Sequence, residues 1–233
     1  MKFEALMNRV EMANTSKLIN EAVFDEQLKF AITNESHSVV AVANTDSGVG
    51  LPEIGVFDLG QLLKTMQYVS SWVDDLSKID ISIDVNRLVF SVGRKKMKFL
   101  LSDPKTISSV VTDRVPAFLE KVRKEEALSI ILPNAVRNDF LKSIQLISPN
   151  TVNFYNDGKD LYALVGSEME HNAIMPLGEV KDIGKKVQAL TDANLLSSVL
   201  QTISGTPDVT LEVRNDTPLM FVLKDYLYIV SNK

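Results

Sequence analysis

Polar residues of one chemical kind recur on the faces of four predicted helices. Opposite each apolar stripe the side chains are basic or neutral, although the whole chain holds 30 acidic against 25 basic residues. Lysine, arginine, amide and hydroxyl groups can bind a phosphate backbone without reading its sequence. The predicted DNA-facing residues are Asn8, Arg9, Gln61, Lys64, Tyr68, Asn138, Lys142, Gln145, Asn194, Ser197 and Gln201. Four ordinary solvated helix faces that lack acids by chance remain the alternative interpretation.

The residues that most often perform catalysis do not converge in this sequence. His37 and His171 are the two histidines, both in predicted turns or loops, and neither has a partner at metal-ligand spacing. The chain contains no cysteine, which excludes disulfides, thiolate metal sites and cysteine nucleophiles. We therefore predict no enzymatic activity, no metal and no cofactor. Neighbouring carboxylates in polar loops are interpreted as solvated: Asp74, Asp75, Glu125, Glu126, Glu168 and Glu170.

A glycine-containing segment also fails to make a phosphate site. Gly48-Val49-Gly50 is not followed by the Lys-Ser/Thr pair of a phosphate-binding loop, and it leads into Leu51-Pro52 rather than into a helix. We interpret it as an ordinary loop.

Two of the four helices belong to a unit that the sequence uses twice. After the predicted cap Asp58, apolar residues recur every three or four positions, as on a helix. Alternating isoleucines at 79–83 and a hairpin at 88–101 follow as strands. The same order returns near the C-terminus, with Thr191 predicted as the cap and strands at 209–213, 219–223 and 226–230. A helix and three strands, repeated once, indicate two similar domains rather than a solenoid.

An earlier helix and several short strands precede this unit in each half. The predicted fold class is therefore α+β, with two helices per domain packed on antiparallel β-sheets, and roughly sixteen short strands in all. We predict an N-terminal domain at 1–104, an interdomain connector at 105–126 and a C-terminal domain at 127–233. The connector shows no clean helix or strand period, and Pro116 interrupts it.

The composition is that of a soluble globular protein. Of its 233 residues 45% are hydrophobic, enough for two domains of ordinary size. Residues 1–13 carry Glu4, Arg9 and Glu11 inside their apolar pattern, unlike a signal peptide, and no apolar run approaches the length of a membrane span. We expect a cytoplasmic protein. Its net charge of −5 argues against gripping nucleic acid by bulk charge.

Three segments carry a resemblance to a known family. Residues 56–63 look like the strand-into-helix element in the middle of the first domain of a sliding clamp. Residues 103–106, followed by Val110, Val111 and Pro116, are similar to the start of the phage clamp's connector. Residues 217–221 and 226–228 look like the strand pair with which clamps finish. The chain thus resembles the DNA polymerase sliding clamps of the PCNA family, and among them those of T-even-like bacteriophages.

This resemblance implies a ring-shaped processivity factor. Clamp subunits of two domains join into a closed ring, a homotrimer in the phage and PCNA types, and helices line the hole around double-stranded DNA. The implied partners are duplex DNA without sequence preference, a replicative DNA polymerase and an ATP-driven clamp loader. A clamp hydrolyses nothing itself and needs no cofactor. If the chain is phage-encoded, its location is the cytoplasm of the infected bacterial host.

The resemblance also implies where partners dock. Clamps bind short peptide tails in an apolar pocket beside the connector. In this chain the corresponding partner-binding residues are Val110, Val111, Pro116, Phe118 and Leu119. The alternative is that these side chains pack the two domains together. Residues 117–124 are more charged and more helix-like than a typical extended connector.

Three other interpretations compete with the clamp. A monomeric processivity factor of the herpesvirus type would need a strongly basic face, which a net charge of −5 disfavours. A β-rich structural subunit of a virion would explain the many short strands but not the paired helix faces. A small-molecule enzyme is the weakest alternative, because no catalytic residue can be nominated.

Overall fold

The computed structural model describes residues 2–167, 169, 171–180 and 186–233. They form two compact units. The first unit comprises Met1–Glu35 and Ala41–Thr112, and the second comprises Ser36–Val40 and Asp113–Lys233. The division after Thr112 falls inside the predicted connector, whose own bounds stay a prediction. The carboxylates of Glu168 and Glu170 lie outside the described residues.

The first unit contains two helices among short strands. Its elements are α1 (Lys2–Asn14), β1 (Ala22–Phe24), β2 (Phe30–Thr33), β3 (Val39–Ala43), β4 (Ile54–Val56), α2 (Leu59–Ser70), β5 (Asp80–Asp84), β6 (Arg87–Val92) and β7 (Lys95–Leu100). Strands β1 and β4 pair antiparallel, and β5, β6 and β7 form a three-stranded antiparallel sheet in that order. The first two residues of β3 group with the second unit.

Apolar stripes on α1 and α2 build the core of the first unit. Phe3, Leu6 and Val10 are fully buried on α1, and the Phe3 ring meets Phe90 of β6 edge-on with 5.6 Å between ring centroids. Burial of such a side chain contributes on the order of 1.5–3 kcal/mol. Because these stripes face the core, the opposite faces of the helices are left to solvent.

The second unit repeats this plan and adds one helix. Its further elements are α3 (Val115–Val122), β8 (Leu128–Leu132), α4 (Asn134–Ile147), β9 (Thr151–Asn156), β10 (Asp160–Gly166), β11 (Asn172–Glu179), β12 (Gln188–Asp192), α5 (Ala193–Thr202), β13 (Val209–Val213), β14 (Leu219–Val222) and β15 (Tyr226–Val230). One sheet has the order β11-β10-β9-β12. In the other, β13 lies between β8 and β14, and β14 also pairs with β15.

Buried positions of the two units match at one spacing. Leu62 and Leu196 are both buried, as are Met66 and Leu200, and the members of each pair lie 134 positions apart. The Phe140 ring of α4 meets Phe154 of β9 edge-on at 5.9 Å, as Phe3 meets Phe90 in the first unit. The predicted α+β fold with two similar domains is confirmed.

The predicted cap of the last helix is wrong by one residue. Asp192 caps α5, because its carboxylate accepts from the backbone N–H groups of Asn194 at 2.9 Å and Leu195 at 3.3 Å. Thr191 is instead a strand residue of β12, paired with Val152. The sequence reading missed β12, and this placed the repeat one position out of register.

The connector contains a helix, so the expectation that it has no helix or strand period is wrong. Val115–Val122 is an α-helix whose residues Val115 and Val122 are buried. Pro116 lies in its first turn, where a missing N–H costs nothing because those groups have no partner within the helix. The proline therefore marks the start of α3 rather than an interruption.

Candidate nucleic-acid interface

Helix α2 presents the most complete of the predicted DNA-facing surfaces. The Asp58 carboxylate begins the helix by accepting from the Gln61 backbone N–H at 2.7 Å. Leu62 and Met66 are buried, whereas Gln61, Lys64 and Tyr68 are all exposed. The helix contains no acidic residue. Its solvent face is thus free of charge repulsion toward phosphate.

Helix α1 does not present the predicted face. Asn8 is exposed, but Arg9 is only 5% exposed, and its Nη2 donates to the Thr45 carbonyl at 2.8 Å and the Thr45 hydroxyl at 2.9 Å. The DNA-facing assignment of Arg9 is therefore wrong. Arg9 follows the buried Leu6 by three positions, so it shares the side of the helix that faces the core. The exposed side of α1 also carries acidic residues, Glu4 and Glu11.

Helix α4 presents one cation with an acidic neighbour. Lys142 is exposed, and its Nζ lies 3.7 Å from the Asp139 carboxylate, one turn away. Gln145 is exposed and Asn138 is half-buried. A solvent-exposed ion pair at this spacing contributes at most about 1 kcal/mol, so Lys142 can be diverted to a phosphate at little cost.

Arg137 is the fourth residue of the same helix and faces inward, as its position on the helical wheel indicates. It is 1% exposed, and its guanidinium donates to the Leu132 carbonyl at 2.7 Å, to the Thr206 carbonyl and to the Asn134 side chain at 3.4 Å. Burial lowers the pKa of this guanidinium from its usual value, an effect that Asp208 partly opposes. Arg137 therefore ties the start of α4 to the end of β8 and to the loop after α5.

Helix α5 offers hydrogen-bonding groups without charge. Asn194 and Gln201 are exposed and Ser197 is half-buried. The ten residues of the helix include no acid and no base. In the first unit α1 packs against α2, and in the second α4 packs against α5. Each unit thus presents one largely uncharged helix face beside one of mixed charge.

A basic hairpin beside α2 was missed as a site by the sequence analysis. The turn between β6 and β7 and the first residues of β7 expose Arg94, Lys95 and Lys96. The Lys95 ammonium lies 5.8 Å from the ring centroid of Trp72, just beyond the end of α2. The charge run was visible in the sequence as a hairpin loop, but its position next to α2 depends on the tertiary fold.

The first part of the predicted partner-binding segment lies along β2. Val110 forms an isolated antiparallel bridge with Ile32, and the Val111 N–H donates to the Ala31 carbonyl at 2.9 Å. Val110 is exposed and Val111 is half-buried. These two residues belong to the first unit.

The second part lies on α3, in the second unit. Pro116 is exposed, and Phe118 and Leu119 are half-buried. Their helical spacing places Phe118 and Leu119 between the buried residues Val115 and Val122. The five predicted residues are thus split into an extended pair and a helical group.

We also looked at a cleft, at metal-type side-chain clusters and at long apolar helices among the residues that the structure describes. A cleft of about 550 Å³ in the first unit is lined by Glu26, Gln27, Asp46, Gly48, Gly50, Leu51 and Pro52, two acids and no base. Within the described ranges no cluster of His, Asp or Glu side chains has the grouping of a metal site. No helix there is both long enough and apolar enough to cross a membrane.

Comparisons with known proteins were made at the level of sequence and of structure. No family model matches the sequence, and no curated protein does. The Entamoeba histolytica Proliferating Cellular Nuclear Antigen (PCNA) matches with a TM-score of 0.71 at 16% identity, over 98% of this chain and 95% of that one. The PCNA2-PCNA3 complex of Sulfolobus tokodaii gives 0.72 at 13% identity, over 100% and 97% of the two chains. PCNA of A. fulgidus, bound to the C-terminal region of FEN-1, gives 0.70 at 16% identity, over 100% and 96%. Along its whole length the chain therefore has the DNA sliding-clamp fold of PCNA.

Proposed function

We propose that this protein is a DNA sliding clamp, a ring-shaped processivity factor that encircles duplex DNA and tethers the replicative DNA polymerase. The observation that carries the proposal is the match of 98–100% of the chain to clamps of the PCNA type. The acid-free helices α2 and α5 support it. A ring keeps its DNA by topology, so weak contacts to phosphate suffice and permit sliding.

Processive synthesis on a long template tests this function. A polymerase and a clamp loader from the same source would copy a primed single-stranded circle, with and without the protein. We expect longer products per binding event when the protein, the loader and ATP are all present. Product lengths that do not change, with polymerase and loader active on a known clamp, would contradict the proposal.

The ring itself is proposed to form from exposed sheet edges. Strand β7 is an edge of the sheet β5-β6-β7, and β11 is an edge of the sheet β11-β10-β9-β12. Each exposes a large apolar side chain, Leu100 at 63% and Ile174 at 58%. Unpaired edges invite strand addition, and a contact between two different edges repeats from copy to copy until it closes. The lysines of β7 and Glu179 at the end of β11 give this pairing complementary charge. We infer three copies per ring.

The cysteine-free sequence allows a direct test of this contact. The double variant L100C/I174C, treated with a flexible bismaleimide, should give a covalent trimer under denaturing conditions. Each single variant carries only one half of the contact and should stay uncrosslinked at the same dose. Equal crosslinking of the single and double variants would place the interface elsewhere.

The proposal includes peptide partners. A known PCNA structure holds the C-terminal region of FEN-1, a precedent for tail binding by this fold. We propose that the tails of the polymerase and the loader dock beside Val110, Val111, Pro116, Phe118 and Leu119, and that the half-buried Phe118 ring is the principal apolar contact. The protein would act in the cytoplasm where the DNA is replicated, an infected bacterium if a phage encodes it.

A further inference from the structure

An exposed aromatic pair lies at the C-terminal end of α2. The rings of Tyr68 and Trp72 meet edge-to-face, with centroids 5.6 Å apart and an interplanar angle of 84°. Tyr68 is 57% exposed and Trp72 is half-buried. Other aromatic rings, such as Phe3, Phe90 and Phe140, are instead fully buried in the core.

One cation contacts this pair and others lie near it in the chain. Lys95 Nζ lies 5.8 Å from the Trp72 ring centroid, within cation–π range. Arg94 and Lys96 are exposed on either side of Lys95, and Lys64 is exposed one helical turn before Tyr68. Two acids, Asp74 and Asp75, follow Trp72, and the Asp75 carboxylate accepts from the Ser77 N–H at 2.9 Å. Lys96 follows Lys95 directly in β7 and so points to the other face of the sheet, which leaves Lys64, Arg94 and Lys95 against two acids. Three cations against two acids leave the patch positive.

Packing explains only part of this arrangement. The Lys95–Trp72 contact fastens the β6–β7 hairpin to α2, and this accounts for Trp72. It does not account for the Tyr68 ring, because a ring left mostly in water removes little apolar surface from solvent and so adds little to stability. Proteins that hold single-stranded nucleic acid combine these parts: an open ring on which a base stacks, and cations that follow the phosphates.

We propose that the patch formed by Lys64, Tyr68, Trp72 and Lys95 binds single-stranded DNA. One unpaired base stacks on the Tyr68 ring, and neighbouring phosphates pair with Lys64 and Lys95. Trp72 supports the tyrosine from below and is held by Lys95. Duplex DNA offers phosphates and base edges to such a patch but no free base face, since its bases are stacked on each other. The site thus prefers unpaired DNA, as at the end of a primer, over duplex.

The single tryptophan of the chain reports on this site directly. Intrinsic fluorescence would be followed while an oligothymidylate of roughly 20 nucleotides is added at low salt. We expect saturable quenching that weakens as salt rises. Tyr68→Ala should weaken binding by roughly 5- to 100-fold, the range for loss of one base–aromatic stack. Tyr68→Phe keeps the ring and should bind like the wild type.

Phe57→Ala is the matched control. Phe57 is 70% exposed and precedes the other end of α2, so its loss removes an exposed aromatic ring outside the patch. We expect its affinity for the oligonucleotide to equal that of the wild type. Circular dichroism of each variant would verify that α2 remains folded.

Three results would overturn the proposal. One is quenching by a duplex of the same length as strong as that by the single strand. Another is unchanged affinity in Tyr68→Ala. The third is a Trp72 signal that follows protein concentration rather than oligonucleotide, which would make the patch a contact between copies. The oligonucleotide assay needs no ring, loader or polymerase, so its outcome is separable from that of the clamp function.

Discussion

Replacing Arg137 with methionine would test how the helix pair of the second unit is held. Methionine keeps much of the unbranched stem of arginine but removes the guanidinium. The variant therefore deletes the donors to the Leu132 and Thr206 carbonyls with little change in packing. These carbonyls belong to the end of β8 and to the loop after α5. Loss of the two hydrogen bonds should therefore loosen the packing of α4 on α5.

The expected cost follows from the bonds removed. A buried acceptor without its donor costs roughly 1–3 kcal/mol, and two carbonyls are affected. Removal of a desolvated charge offsets part of this loss, because a buried guanidinium carries its own penalty. We expect the free energy of unfolding to fall by roughly 2–4 kcal/mol, which lowers the melting temperature by about 5–15 °C for a protein of this size.

Thermal and urea unfolding followed by circular dichroism would measure this change. Arg123→Met is the matched control: Arg123 is exposed at the end of α3, and its substitution should shift stability by no more than about 0.5 kcal/mol. If Arg137→Met unfolds like the wild type, the guanidinium does not tie these elements together and the reasoning fails.

Three further predictions concern the connector, the helix faces and the partner tail. Glu21→Ala should speed amide hydrogen exchange at Ser108 and its neighbour, because one Glu21 carboxylate oxygen accepts both N–H groups at 2.8 and 2.9 Å; unchanged exchange would contradict this. Lys64→Glu with Lys142→Glu should reduce polymerase stimulation while each site changes stability by at most about 1 kcal/mol. Full stimulation at physiological salt would show that both lysines are ordinary solvated residues without a role in DNA binding. Phe118→Ala should weaken binding of a polymerase C-terminal peptide by roughly 1–2 kcal/mol, measured by calorimetry. Normal peptide binding by a variant that unfolds early would make Phe118 a core residue.

Periodicity located the elements well where a stripe was long and uninterrupted. The apolar spacing of α2 and the carboxylate of Asp58 predicted both its buried face and its start. A stripe of helical spacing also runs through α3, at Val115, Phe118 and Val122, but Pro116 within it predicts a break. A proline breaks a helix only where an N–H is needed, and the first turn does not need it.

The candidate site was harder to predict because it depends on neighbours distant in the chain. The helical wheel predicts Arg9 on the polar face, yet Arg9 follows the buried Leu6 by three positions. Its guanidinium bonds to Thr45, 36 positions away, a partner that the wheel does not show. Lys95 falls within the predicted hairpin at 88–101, and only the fold brings it to Trp72. A helical wheel gives the direction of a side chain but not what the rest of the chain brings to it.

The most direct test of the clamp function is whether the closed ring stays on circular DNA and slides off linear DNA. The L100C/I174C protein would first be loaded on a nicked circular plasmid by the clamp loader and ATP, and then crosslinked with the bismaleimide. The product would be passed over a sizing column in denaturant. We predict that the crosslinked protein, a multiple of the 25.9 kDa chain, elutes with the circle and is released when the plasmid is cut once. Equal retention on linear and circular DNA, or release from both, would show that the protein does not encircle its template.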